Sequence, residues 1–274
     1  MLTLRSTATM SSGYAIPLLG FGVYKNDDNV TCFKSVTEAL RVGYRHIDTA
    51  QMYANEMAVG LAVKQSGVPR EEIFITTKIE HKDYGYERTL QAVEESLERL
   101  GLEYIDLLLL HEPYGGPASR LEAYRALSVA KECGKIRTIG VSNLSEKHIE
   151  MLSAAGLEVP AVNQIEQKEL IAFCRAQSIL VTAFCPLVRG ERNNNNAIQY
   201  LVKKYDKSPA QIFVRWALQK GVIPLPKSAT ASRIMENADV FSEGYVLSAE
   251  DMRMMDYLDE GKAGSISWWP YTEE

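Results

Sequence analysis

The chain has 274 residues, of which 46% are hydrophobic and 24% charged, so it holds enough apolar material to fold alone and reads neither as disordered nor as a stapled fragment. Thirty basic residues against 35 acidic ones give a net charge of −5, and no cluster of five or more Lys/Arg occurs, which argues against nucleic acid as a partner. Cys32, Cys133, Cys174 and Cys185 form no C-x-x-C and imply a reducing compartment. The longest apolar run, residues 105–110 broken by Asp106, falls far short of the ~20 residues of a membrane span. A cytoplasmic protein away from membranes is expected. The first 26 residues hold Arg5, Lys25 and no acid but lack an apolar signal core, and are read as mature protein.

In chain order, residues before Gly20 read as a short hairpin, and eight β-branched apolar runs follow. They start at Gly20, His46, Ile73, Ile105, Ile136, Ala161, Leu180 and Val222. Helical patterns lie between them, as in residues 86–100, where Leu90, Val93, Leu97 and Leu100 form one apolar face. Runs that are apolar throughout indicate strands covered on both faces, and strict alternation predicts a single α/β domain over 1–274, a (β/α)8 TIM barrel. Gly43, Gly67, Gly101, Gly134, Gly156 and Gly221 mark helix ends, Ser208-Pro209 marks a helix start, and Ser248 with Asp251 resembles a capping box. Residues 248–262 read as one extra C-terminal helix followed by an aromatic tail.

In such a barrel chemistry sits where strands end. Asp48 closes the second run, Tyr53 follows it, Lys78 closes the third and His111 the fourth. A charged Lys and Asp at buried strand ends are costly unless they pair, so an Asp48–Lys78 ion pair is expected. A phenol beside that cation suits a proton donor: a charge at ~4 Å is worth about 4 kcal/mol at an effective dielectric of 20, enough to draw its pKa toward neutrality. A neutral His111 then hydrogen-bonds a carbonyl oxygen, and a nicotinamide cofactor is implied as the hydride source. Neither G-x-G-x-x-G nor a P-loop occurs, so the cofactor phosphate is expected at the last strand–helix junction, on Lys227, Ser228 and Arg233.

GYRHIDTAQMYANE (43–56), RLGLEYIDLLLLHEP (99–113), GVSN (140–143), NQIE (163–166) and PKSAT with the following Arg233, Ile234, Glu236 and Asn237 occur in the order of the aldo-keto reductases, and the chain resembles that family over nearly its whole length. The resemblance implies NADPH/NADP+ lying across the barrel mouth, Asp48, Tyr53, Lys78 and His111 as catalytic tetrad, and a small carbonyl compound as substrate. It places Ser142, Asn143 and Gln164 on the carboxamide, Phe184 against the nicotinamide, Cys185 beside the pyrophosphate, Leu187 among the cofactor-binding residues, and Lys227, Ser228, Arg233 and Asn237 at the 2′-phosphate and adenine. Tyr24, Glu112, Tyr114, Trp268 and Trp269 are expected around the substrate, and a monomer or weak dimer is expected. Three departures stand out: the loop after Glu166 is short, Cys185 replaces a usual Ser, and Glu112 replaces an apolar residue after the histidine.

Rival readings are weaker. Tyr200 and Lys204 have the Y-x-x-x-K spacing of short-chain dehydrogenases, but without an N-terminal glycine-rich turn and on an amphipathic helix where that spacing is common. The scattered histidines supply no metal-ligand set, so no metal is expected. The alternative from another class is a non-catalytic barrel that binds NADPH as a regulatory or sensor subunit.

Overall fold

The computed structural model describes residues 2–26, 28–165 and 168–264. An antiparallel hairpin, β1 (Thr7–Thr9) and β2 (Ala15–Pro17), precedes eight strands that pair in parallel, each with the next. These are β3 (Phe21–Gly22), β4 (His46–Asp48), β5 (Phe74–Ile79), β6 (Ile105–Leu110), β7 (Ile136–Ser142), β8 (Val162–Ile165), β9 (Leu180–Ala183) and β10 (Ile223–Pro224). Every one of the eight sequence runs contains one of them. The seam between β10 and β3 carries two backbone hydrogen bonds, Gly20 N–H to Pro224 O and Gly22 N–H to Pro226 O, both 3.1 Å. Glycine is required there, because a Cβ on Gly20 would lie 2.4 Å from Leu225 Cδ2 and 2.8 Å from His46 Nδ1. This close approach, rather than a phosphate turn, is what these two glycines serve.

The helices are α1 (Asn29–Val42), α2 (Glu56–Gln65), α3 (Tyr86–Leu100), α4 (Pro117–Glu132), α5 (Glu146–Ala154), α6 (Lys168–Ala176), α7 (Asn196–Tyr205), α8 (Pro209–Gln219), α9 (Ala231–Ala238) and α10 (Ala249–Asp256). The six helix-ending glycines all adopt positive φ, and Ser208 with Gln211 forms a full capping box at α8. The C-terminal helix is shorter than its pattern suggests and is followed by a 3₁₀ turn, Gly261–Gly264. Its expected capping box is half formed. Ser248 Oγ accepts from Asp251 N–H, but the Asp251 carboxylate turns to Lys204 and Tyr205, while Ser248 N–H donates to the Tyr205 hydroxyl. Only two residues separate β8 from α6, in keeping with the shortened loop.

Alternation along the strands decides what faces the barrel interior. His46 and Asp48 on β4 meet Thr76 and Lys78 on β5 inside, while Thr77 points outward to Glu56 of α2. A small apolar cluster of Met10, Ile16, Phe74, Leu107, Leu109, Val162 and Ile223 fills the lower barrel, with the hairpin supplying its first two members. The larger core lies between the outer strand face and the helices. At the strand starts, Asp106 is neutralised by Arg70 at 2.6 Å and Arg137 at 3.0 Å, which explains a carboxylate in a run of leucines.

Candidate active site

The upper interior of the barrel opens into a cavity of about 570 Å³, within the ordinary size for a cofactor or ligand site. Lys78 is fully buried at its floor and donates from Nζ to Asp48 Oδ1 at 2.7 Å, to Thr49 O at 2.8 Å and to the Tyr53 hydroxyl at 3.4 Å. The His111 ring stands edge-on to Tyr53 with centroids 5.8 Å apart, and Tyr24 tilts against the same phenol at 5.0 Å. The four residues expected to act together are thus side by side, although they come from β4, the turn after it, β5 and the end of β6.

Each is held by its local fold. Tyr53 ends a 3₁₀ turn, Gln51–Tyr53. Gln51 ties that turn to the next strand end by accepting from Glu80 N–H at 3.2 Å and donating to Asp83. Beyond the turn, Asn55 accepts from Thr49 Oγ1 and donates to Val23 O, joining it to the end of β3. Glu56 is buried and accepts from Thr77 Oγ1 and Arg99 Nε, both at 2.6 Å, so it fastens α2 to β5 and α3. His111 N–H donates to Ile79 O, and His111 O accepts from Asn143 Nδ2 at 3.1 Å. The sequence reading passed over Gln51, Asn55 and Glu56, though all three stand inside the segment it quoted. Glu56 is buried at 1% exposure, which no spacing in the sequence shows, so its role becomes visible only in the fold.

Burial governs the protonation states. It pushes the Tyr53 phenol well above its ordinary value of 10, with the Asp48 carboxylate adding to the effect. The expectation that Lys78 draws this phenol toward neutrality is therefore corrected: the cation is already matched by Asp48 and sits 3.4 Å away, and desolvation wins. Tyr53 is held firmly protonated. Burial also lowers Lys78, opposed by Asp48, and it drives His111 well below 6.5, with Lys78 and His81 acting in the same direction. His111 is a neutral imidazole at physiological pH. Its Nδ1 is buried with no hydrogen bond among the described residues, and the residue lines the cavity.

Of the residues expected to hold a cofactor, Ser142, Asn143, Gln164, Phe184, Cys185, Leu187 and Lys227 line the cavity, joined by Lys25, Met52, Arg189 and Leu225, which the sequence reading did not single out. Ser228, Arg233 and Asn237 are not in that lining: Ser228 accepts from Thr230 N–H in a local turn, Arg233 is exposed on α9, and Asn237 is buried. Tyr24 lines the cavity, but Glu112 and Tyr114 do not. Glu112 is 3% exposed, and its carboxylate accepts from His81 N–H at 3.2 Å and meets His81 Nδ1 at 2.5 Å, while Tyr114 packs edge-on to the same imidazole. One step beyond His111 the chain has turned outward, so these two are corrected from pocket wall to mouth scaffold. Trp268 and Trp269 lie outside the described residues. No group of His, Cys, Asp or Glu placed to hold a metal occurs among the described residues, and no helix among them is long and apolar enough to cross a membrane.

Comparison with known proteins finds relatives along nearly the whole chain. The pattern of the Aldo/keto reductase family matches residues 19–260. A protein named glyoxal reductase from Bacillus subtilis (strain 168) is 44% identical over 264 residues, covering 94% of each chain. The crystal structure of an aldo/keto reductase from Brucella melitensis superposes with a TM-score of 0.89 at 40% identity, over 93% of this chain and 99% of that one. A Bombyx mori aldo-keto reductase solved in complex with NADP does so with a TM-score of 0.86 at 32% identity, over 94% of this chain and 93% of the other. By sequence along its length and by fold, this chain belongs to the aldo/keto reductase family.

Proposed function

We propose that the protein is an NADP(H)-dependent oxidoreductase that reduces an aldehyde or ketone to an alcohol, with Tyr53 as proton donor. The observation that carries this reading is the fully buried Lys78 joining Asp48 to the Tyr53 hydroxyl at the floor of a cavity that also receives a neutral His111. The residues present fit the cofactor: a half-buried aromatic, Phe184, the amide and hydroxyl groups of Ser142, Asn143 and Gln164, and the Lys227 cation all line the cavity. Bound NADPH supplies the hydride to the carbonyl carbon.

The chain does the rest. His111 Nε2 fixes the carbonyl oxygen, and the Tyr53 O–H proton passes to that oxygen as negative charge develops on it. The resulting phenolate lies beside Lys78, whose ammonium stabilises it until solvent restores the proton. The high resting pKa of Tyr53 keeps the donor loaded across the physiological range, and the acid becomes effective only when an alkoxide forms within reach. Tyr24 packs against the phenol at the cavity wall. Lys227 and the exposed Arg233 are the candidates for the 2′-phosphate.

The name of the Bacillus subtilis relative nominates small dicarbonyls as substrates, beside the aryl aldehydes that an aromatic wall favours. The test is NADPH oxidation followed at 340 nm over a panel of glyoxals, aryl aldehydes, ketones and sugars. Turnover of a carbonyl is expected. Tight NADPH binding with no oxidation across the panel overturns the enzyme reading and leaves a cofactor-binding barrel.

A further inference from the structure

Glu112 is 3% exposed, and its carboxylate meets neither a Lys nor an Arg among the described residues. What it holds is His81, which opens a 3₁₀ turn, His81–Asp83, just after β5. Glu112 Oε1 accepts from the His81 backbone N–H at 3.2 Å and meets Nδ1 of the same residue at 2.5 Å. The acid is itself fixed at its root. The Tyr84 hydroxyl donates to Glu112 O at 2.7 Å and accepts from Glu112 N–H at 3.3 Å. The other charges of the turn have partners of their own: Lys82 meets Glu80, and Asp83 meets Arg88. The His81 side chain is 45% exposed, packs edge-on to Tyr114, and makes no hydrogen bond through Nε2 among the described residues.

A carboxylate only accepts, so Nδ1 carries the hydrogen and Nε2 is the open nitrogen. Neutral, that nitrogen accepts; protonated, it donates. A carboxylate on a ligand suits only the second state and an ammonium only the first, whereas a hydroxyl, both donor and acceptor, suits either. The turn stands where β5 ends, beside the end of β6 that carries His111. The His111 pKa, lowered first by burial and then by Lys78, is lowered by His81 as well, so the two imidazoles are within electrostatic reach.

We propose that His81 is a specificity-determining residue and Glu112 its positioning residue: the buried carboxylate presents Nε2 at the cavity mouth to a hydroxyl carried beside the reacting carbonyl. The inference rests on the oxidoreductase reading above and adds hydroxyaldehydes and hydroxyketones to it as the substrate class. It also gives Glu112 a task that its burial keeps it from performing directly.

The probes are glyceraldehyde, with a hydroxyl on each of the carbons after the carbonyl, and 2-methylbutanal, in which a methyl group replaces each hydroxyl. The readout is the ratio of their kcat/KM values at saturating NADPH, taken relative to the wild-type ratio, so that the difference in intrinsic carbonyl reactivity cancels. His81→Phe keeps a ring against Tyr114 and removes the nitrogens. It is expected to lower the preference for glyceraldehyde by about three- to tenfold, the scale of one net hydrogen bond. Glu112→Leu frees the imidazole and should lower it by a similar factor, while Glu112→Gln keeps an acceptor oxygen and should stay within about twofold of wild type. His81 is half exposed, so His81→Phe supplies a result even if Glu112→Leu fails to fold. A His81→Phe ratio within about twofold of wild type, including one in which both aldehydes slow equally, overturns the proposal. So does an unchanged ratio in a folded Glu112→Leu, or a loss in Glu112→Gln equal to that in Glu112→Leu. A wild-type protein that turns over neither aldehyde nor any member of the carbonyl panel overturns instead the reading on which the proposal rests.

Discussion

Lys78→Met probes the ion pair at the barrel floor most directly. Lys78 is 0% exposed and the Asp48 side chain 5%, so the substitution strands a carboxylate in the interior with the Gln164 amide still donating to it. Breaking a buried pair by removing one partner costs about 3–5 kcal/mol, because the survivor keeps its desolvation penalty without the opposing charge. At about 2 °C per kcal/mol for a chain of this length, Tm should fall by roughly 6–10 °C at pH 7. The pH dependence has a definite sign. A buried carboxylate without its cation has a folded pKa above its unfolded one, so the penalty is full above that raised pKa and shrinks as the pH falls and the group takes up a proton. The gap between wild-type and variant melting curves, followed by circular dichroism from pH 8 down to about pH 5, should therefore narrow. Adding Asp48→Asn to Lys78→Met should recover much of the loss, since the stranded charge is gone. A variant that melts within about 1 °C of wild type at pH 7, or a gap independent of pH, would refute the reasoning.

Tyr53→Phe should lower kcat by at least ~10²-fold while leaving the NADPH dissociation constant within about twofold, and wild-type kcat would remove Tyr53 from the chemistry. NADPH should bind at least about tenfold more tightly than NADH, and Arg233→Ala should erode the NADPH affinity while sparing NADH; equal wild-type constants would show that Lys227 and Arg233 meet no phosphate. Burial raises Asp251, but hydrogen bonds from Lys204, Ser248 and Tyr205 outweigh it and bring the carboxyl down to about 2. Its contribution is then complete above the unfolded value near 3.9 and is lost as the pH falls through about 2, so Asp251→Asn should cost about 1–2 kcal/mol at pH 7 and only a small fraction of that near pH 2; equal destabilisation at both would place the effect elsewhere.

The barrel was legible because its strands are buried on both faces, which makes each a continuous apolar run between polar helices. What the runs do not reveal is how little of each end strand pairs. β3 and β10 shrink to two residues each because the seam is made by Pro224 and Pro226, which can offer only carbonyls, against two glycines that permit the approach. The half-formed cap at Ser248 failed for a tertiary reason. Lys204 and Tyr205 lie 47 and 46 residues away from Asp251 in sequence, yet they claim its carboxylate. Local spacing shows that Asp251 stands at the third position of a helix but not which partner captures it.

The candidate site divides along the same line. Asp48, Lys78 and His111 were readable because a charge or imidazole at the end of a buried strand needs a partner, and the partners lie on neighbouring strands. Glu112 was misplaced by one residue of geometry: the strand's alternation sends His111 inward, and its successor turns outward to His81, where no pattern in the sequence foretold an acceptor. The phenol's protonation was misjudged because a pairwise cation was weighed without the desolvation that surrounds it. The bond between Gln164 and Asp48 spans 116 residues and the width of the barrel. Helix and strand periods relate residues along one element, and parallel pairing relates adjacent strands, but nothing in either relates β4 to β8. Such a contact exists only once the sheet has closed, and that is why the residues joining the two halves of this site were named in the sequence for separate tasks, while the structure gives them a common carboxylate.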